Sequence, residues 1–334
     1  MIGGPGNHDT KTALALMKES SNYSHEHRSL SRRAFLKAAG ATASIAATAE
    51  LAGPGAHAAD PPSVPAAKPA PSPAMSRETY DSHAKGIRIV PGQWRPHYPW
   101  EHIVWISPAW PSQDYLWLDF PEAIFSSQGL LYLSHVNPPF PVLFPDLPKV
   151  EWRQEPTGLA FERALPNGIR FGGSVTRGGE TAVELELHIQ NGSTQPLKDI
   201  TLQTCAFLRG IKEFSEFTRN NKFIHAPGKG WVPLSETAAL PEGTGPYRVG
   251  WRKSGKLLAD WPVMVTVSNQ AERLVAMTWR KNTLSLVSNP NHPCMHADPQ
   301  FQDLPPGEGT SIRGQILFFD GKLADFDYTK HFGG

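Results

Sequence analysis

The sequence predicts an all-β protein: one large antiparallel β-sandwich with few helices, spanning residues 80–334. Three observations lead there. From Ile87 onward, short runs rich in Val, Ile, Leu, Trp and Tyr recur between clusters of Pro, Gly, Asn and Asp, which is the rhythm of strands and turns. Over Thr181 to Ile189, apolar Val183, Leu185, Leu187 and Ile189 alternate with Ala182, Glu184, Glu186 and His188, the two-residue period of a strand with one buried face. Helical periodicity is confined to a short piece near Leu323 to His331, and no unit of about 20–50 residues repeats, which argues against propellers and solenoids. Strands with one apolar face each must pack sheet against sheet, hence the sandwich.

Element by element, Leu197 to Leu208 follows the turn-like Asn191-Gly192-Ser193 and reads as the antiparallel partner of Thr181–Ile189. Trp261 to Ser268, Arg273 to Trp279 and Thr310 to Phe319 read as further strands, with Ser268-Asn269-Gln270 a tight connection between the first two. In Val183 to Leu208 a strand of alternating acidic and aliphatic residues leads through an Asn-containing turn into a second long strand. This stretch resembles the corresponding part of galactose-mutarotase-like sandwich proteins. The resemblance covers a small part of the chain and implies a sugar-handling sandwich.

Ahead of the sandwich, Ser31-Arg32-Arg33-Ala34-Phe35-Leu36-Lys37 carries the twin-arginine export pattern. A weakly apolar run, Ala38 to Ala52, follows it, and then the small-x-small site Ala56-His57-Ala58. Residues 1–58 therefore read as a cleaved leader, which places the mature protein in the periplasm or outside the cell. Residues 59–79, with Pro61, Pro62, Pro65, Pro69, Pro71 and Pro73 among Ala, Ser and Lys, read as a semi-rigid tether. No later stretch approaches the ~18 uninterrupted apolar residues of a spanning helix, so the mature part is expected to have no membrane span.

The balance of 32 Lys and Arg against 31 Asp and Glu gives no basic field for phosphate backbones, which excludes nucleic acid as an expected partner. There is no G-x-S-x-G elbow, phosphate loop, dinucleotide fingerprint or H-E-x-x-H, so hydride transfer, phosphoryl transfer and zincin chemistry lack support. With only Cys205 and Cys294, one disulfide or two core thiols fit equally.

Three segments could carry chemistry. In Asn289 to Pro299, His292, Cys294, His296 and Asp298 lie two apart and would project from one side of an extended chain, presenting imidazole, thiolate and carboxylate to a divalent transition metal. Against this, Pro290, Pro293 and Pro299 interrupt a ladder and favour a structured loop. In Asn220 to Trp231, His225 precedes a Gly-rich bend and Trp231 offers a flat face for a sugar ring, or else anchors the loop on the core. From Trp94 to His135, ten aromatic residues alternate with ionisable ones. Most of those aromatics suit a core, while Asp119-Phe120-Pro121-Glu122 and Leu133-Ser134-His135 are hardest to explain as core.

These observations favour an exported carbohydrate-active enzyme of lyase, epimerase or hydrolase type acting on a carbohydrate or other small polar substrate through His acid/base chemistry. The catalytic candidates are His225, His296, His135 and Arg280. Trp231, Arg252 and Asn291 are the substrate-binding candidates, and His225, His296 and Trp231 are expected to share one cleft. The rival reading is a non-catalytic carbohydrate-binding or cell-envelope sandwich. A concave pocket with two or more of these ionisable candidates within hydrogen-bond reach would favour the enzyme, and a flat aromatic strip the binding protein. For the leader, replacing Arg32 and Arg33 together by Lys should hold the precursor in the cytoplasm; processed protein appearing outside the cytoplasm at the normal level would contradict it.

Overall fold

The computed structural model describes residues 85–93, 101–135, 142–216, 218–240, 242–243, 245–250, 257–289, 292 and 294–333. The leader and tether (1–79), the segment from Trp94 to Trp100, Arg252 and Asn291 lie outside the described residues. Among those described, the strands form two sheets of nine strands each, the predicted sandwich. The first sheet runs β1 (Ile89–Gly92), β2 (Ile103–Ile106), β3 (Leu116–Ser126), β9 (Thr201–Phe207), β17 (Met295–Pro299), β16 (Thr283–Val287), β12 (Tyr247–Val249) and β13 (Leu258–Ala259), with β4 (Gly129–Leu133) paired to β3. The second runs β11 (Gly230–Pro233), β10 (Lys222–Ala226), β14 (Val263–Val267), β15 (Arg273–Thr278), β18 (Gly309–Asp320), β8 (Ala182–Gln190), β7 (Arg170–Arg177), β6 (Gly158–Ala164) and β5 (Arg153–Glu155). No helix among the described residues is long and apolar enough to cross a membrane.

Two-residue alternation sends one set of side chains from each sheet inward. Leu118, Phe120, Ala206, Met295 and Ala297 of the first sheet belong to the same buried cluster as Val183, Leu185, Leu187, Val275 and Met277 of the second. Each such Leu or Val, fully buried, stabilises the fold by about 1.5–3 kcal/mol. The outer face of the second sheet is apolar too, at Val263, Val265, Leu274, Ala276 and Leu317, and Phe326, Tyr328 and Phe332 pack there. The last two belong to α1 (Tyr328–Phe332), whose start is capped by Asp327 accepting from the backbone N–H groups of Thr329 and Lys330. This is the helical piece expected near Leu323 to His331.

The hairpin expected across Asn191-Gly192-Ser193 is not formed. β8 pairs with β7 and β18 in the second sheet, whereas β9 pairs with β3 and β17 in the first. Asn191 is the physical reason: it is buried, its amide donates to the carbonyls of Gln195 (2.8 Å) and Leu304 (3.0 Å), and its Oδ1 accepts from Ser193 N–H (3.1 Å). These bonds satisfy the backbone of a corner that changes sheets, where a tight turn would have kept β9 beside β8. The connection after Ser268 does form a hairpin: β14 and β15 pair antiparallel, and Ser268 N–H donates to the Arg273 carbonyl (2.9 Å).

A buried polar group sits at the entry to β2. His102 stacks on Phe161 (3.8 Å between ring centres), its Nε2 faces Arg163 (3.4 Å) and its Nδ1 faces the Tyr132 hydroxyl (3.2 Å). Burial, with the Arg163 charge, holds its pKa well below the ordinary value, so the fold keeps it neutral. Below about pH 6.5 the unfolded chain takes up a proton here that the native state refuses, and stability falls by up to ~1.4 kcal/mol per pH unit. His102→Gln should flatten that acid limb in urea unfolding compared between about pH 7 and about pH 5.5; an unchanged slope would contradict the assignment.

Candidate functional site

The first sheet turns a polar, ionisable face away from the core. β3 begins regularly, with Trp117 opposite Phe207 and Asp119 opposite Cys205, but the next pairs are Ala123 with Gln203 and Ile124 with Leu202. Four steps along β3 thus pass against two along β9, an irregularity containing the cis Phe120–Pro121 bond. In an unbroken strand, Asp119 and Glu122 would point to opposite faces. Here both reach His135, which follows β4.

The contacts are specific. Ser134 Oγ donates to Asp119 Oδ2 (2.5 Å) and lies 2.9 Å from His135 Nδ1, while Ser134 N–H donates to the Glu122 carbonyl (2.8 Å). With its hydroxyl proton directed to Asp119, Ser134 Oγ can accept from His135 Nδ1, leaving Nε2 to face Glu122 Oε1 at 3.3 Å. The other carboxylate oxygen of Glu122 lies 3.8 Å from His296 Nδ1. Glu122 therefore stands between two histidines. Burial raises its pKa, against the opposing pull of His135 and His296.

Behind this pair, His296 and Asp298 of β17 lie on one face, with Cys294 just ahead of them. Cys294 immediately precedes the strand, its Sγ is 2.8 Å from His296 Nε2, and His296 Nδ1 is 3.3 Å from Asp298 Oδ1. Thr204 N–H donates to the same Asp298 oxygen (3.1 Å), fixing it. Cys205 on β9 sits opposite His296 in register. Burial pushes the Cys294 thiol up, but hydrogen bonds from Cys205, His292 and His296 and the His296 charge outweigh it, and the thiol is held well below its usual range. The same thiolate, with Asp298, overcomes burial at His296 and holds its imidazole well above the ordinary value. Cys205 and Cys294 are free thiols. Two sets of donors are close enough to hold an ion: Cys205 with Cys294 and His296, and Asp119 with Glu122 and His135, each within 4.8 Å.

Above the ionisable row runs an aromatic one. Register places Trp105 opposite Trp117 and Trp117 opposite Phe207, and His292 stacks on Phe207 (5.1 Å, 18° between planes). Trp105, Trp117 and Phe207 are all half-buried.

Of the predicted site residues, His135 and His296 meet at Glu122. The segment expected as a loop, His292 to Asp298, contributes a central strand instead, because its ladder starts after Pro293 and ends at Pro299. Asp298 approaches the imidazole nitrogen opposite to the one facing Cys294, so the four predicted metal donors do not converge on one point. The expected shared cleft of His225, Trp231 and His296 is not formed. His225 lies on β10 against the outer face of the second sheet, stacked on Trp261 (3.7 Å), with Nδ1 2.6 Å from Asp260 Oδ1. Trp231 packs edge-on to both and contacts Phe326, so it anchors the C-terminal segment. Arg280 lies 3.9 Å from Glu184, a residue of the second sheet. Of the seven described aromatics of the Trp94 to His135 segment, Trp110, Phe120 and Tyr132 are core, whereas Trp105, Tyr115, Trp117 and Phe125 are half-buried outside that cluster, so fewer of them fill the core than the sequence suggests. Cys205 was missed as a site residue because its partners lie some ninety positions away in sequence; its alternation with inward-facing Thr204 and Ala206 was the available signal.

A recess lies on the outer face of β6 to β8, lined by Glu162, Ser174, Glu186 and His188. His188 and Glu162 touch there (2.5 Å), but both are more than a third exposed, the condition of an ordinary solvated face.

No protein family model and no curated protein matches this chain. Among solved structures, the chain is similar to a galactose mutarotase related enzyme from Lactobacillus acidophilus, at 9% identity and a TM-score of 0.37, over 66% of this chain and 96% of that one. It is also similar to an aldose epimerase homologue from C. elegans, at 12% identity and a TM-score of 0.35, over 72% of this chain and all of that one.

The structural role of His225 is testable. His225→Ala should lower unfolding free energy by about 1 kcal/mol, through lost stacking and an abandoned Asp260 partner that remains partly solvated. An unchanged thermal melt would contradict the role.

Proposed function

We propose that the chain is an exported carbohydrate-active enzyme of epimerase, lyase or hydrolase type, in which Glu122 and His135 form the acid/base pair. One observation carries the reading: His135 Nε2 and Glu122 Oε1 stand 3.3 Å apart, in side chains 21% and 15% exposed. A single proton shared between those atoms gives one group that can accept and one that can donate, within reach of solvent and substrate. Removing a proton from an anomeric hydroxyl, or from carbon beside a carbonyl, and returning it elsewhere on the sugar needs both. Asp119, through Ser134, orients the imidazole from its Nδ1 side.

The aromatic row of Trp117 and Phe207 supports a sugar as substrate, since a sugar ring has an apolar face to stack and hydroxyl edges to bond. Export rests on Arg32-Arg33 and the leader around them. Of the candidates from the sequence only His135 belongs to this pair, and its closeness to the ionisable Glu122 supports an enzyme over the rival binding protein.

Glu122→Gln and His135→Ala should each lower turnover by ~10²–10⁴-fold across a panel of free sugars, uronates and oligosaccharides, with thermal melts near wild type. Wild-type turnover in either variant would remove the pair from catalysis.

A further inference from the structure

The geometry points to a second site behind that pair: Cys205, Cys294 and His296 together hold one thiophilic ion of the zinc class, and Asp298 orients the ligating histidine from outside. The three donor atoms lie within 4.8 Å of one another and all three residues are buried. A tetrahedral ion with bonds of about 2.3 Å to sulfur and about 2.0–2.1 Å to nitrogen sets its donors roughly 3.5–3.8 Å apart. The present Cys294 Sγ to His296 Nε2 separation, 2.8 Å, needs to open by less than about 1 Å, within the reach of side-chain rotation.

The scaffold is suited to hold such a set. Cys205 and His296 are cross-strand neighbours on β9 and β17, both inside the sheet, and Cys294 lies two residues from His296 on the same face. Ligands on paired strands are positioned more tightly than ligands on loops. The histidine is also oriented for it. Nδ1 faces Asp298, itself held by Thr204 N–H, which leaves Nε2 directed at Cys294 Sγ, with Cys205 in the same donor set. A carboxylate on the far nitrogen is the usual outer partner of a metal-bound imidazole. Finally, the chain has two cysteines in its whole length, and both come to this point. A core role would need only two small apolar residues there; two thiols beside an imidazole make a soft donor set. The assignment replaces Asp298 and His292 of the predicted set by Cys205, and leaves Asp298 in the outer position.

The test uses the reduced full-length chain with Co²⁺ as probe. Titration should give a thiolate-to-cobalt charge-transfer band and the visible bands of a tetrahedral site, saturating at one ion per chain and displaced by Zn²⁺. Cys205→Ser, Cys294→Ser and His296→Gln should each abolish or strongly reduce the band, and Asp298→Asn should weaken Co²⁺ binding ~10–100-fold while keeping it. Should the inner variants not fold, the wild type still decides: Zn²⁺ should protect both thiols from alkylation together. The proposal is overturned if the folded, reduced protein gives no charge-transfer band. It is equally overturned if the band survives Cys205→Ser, if the native protein carries a Cys205–Cys294 disulfide, or if Cys294 alone is alkylated at a rate Zn²⁺ does not change. None of these readouts involves turnover, so a negative result leaves the Glu122–His135 reading standing, and the reverse.

Discussion

The arrangement of the site depends on one irregularity in β3. Between Asp119 and Ala123 the strand advances four residues while its neighbour β9 advances two. A regular strand would spend one of Asp119 and Glu122 on the core, where an ionised carboxylate without a partner costs several kcal/mol. With the irregularity, both serve the same face, and Glu122 comes between His135 and His296. The core is not sacrificed: Leu118 and Ile124, on either side of the break, and Phe120 within it remain fully buried in the main cluster.

Solvent access then divides the face into two parts with different chemistry. His135 and Glu122 keep a fraction of their surface open, as the proposed acid/base pair requires. His296 and Asp298 are sealed, at 1% and 2% exposure, and Cys294 with them. Sealed ionisable groups are tolerated only when paired, and here each has its partner within the same strand or the next one. Glu122 touches both parts, so a change in charge at His296 or Cys294 bears on Glu122 itself.

The fold was legible because period-two alternation is a local property that burial enforces: Val183 to Ile189 could have been little else. The pairing of β8 with β9 was misread because a short Asn-Gly-Ser segment suits both a turn and a sheet-changing corner. What decides between them is the bond from Asn191 to Leu304, more than a hundred residues downstream. At the site, the spacing of Cys294, His296 and Asp298 signalled one face, and the awkwardness of Glu122 and His135 as core residues marked two side chains that the sheet brings together. Convergence was not legible. His225 and His296 look alike in sequence, each near a Pro and an aromatic or thioether neighbour, yet one stacks on Trp261 and the other lies beside Cys205. Only the sheet assignment of β10 and β17 separates them.

The most direct test of the account is the structure of the full chain with a bound sugar. The account predicts a ring seated against Trp117 and Phe207, with a hydroxyl or ring oxygen in hydrogen-bond reach of both Glu122 Oε1 and His135 Nε2. A sugar bound instead in the recess of Glu162 and His188, with the first sheet's outer face empty, would contradict it.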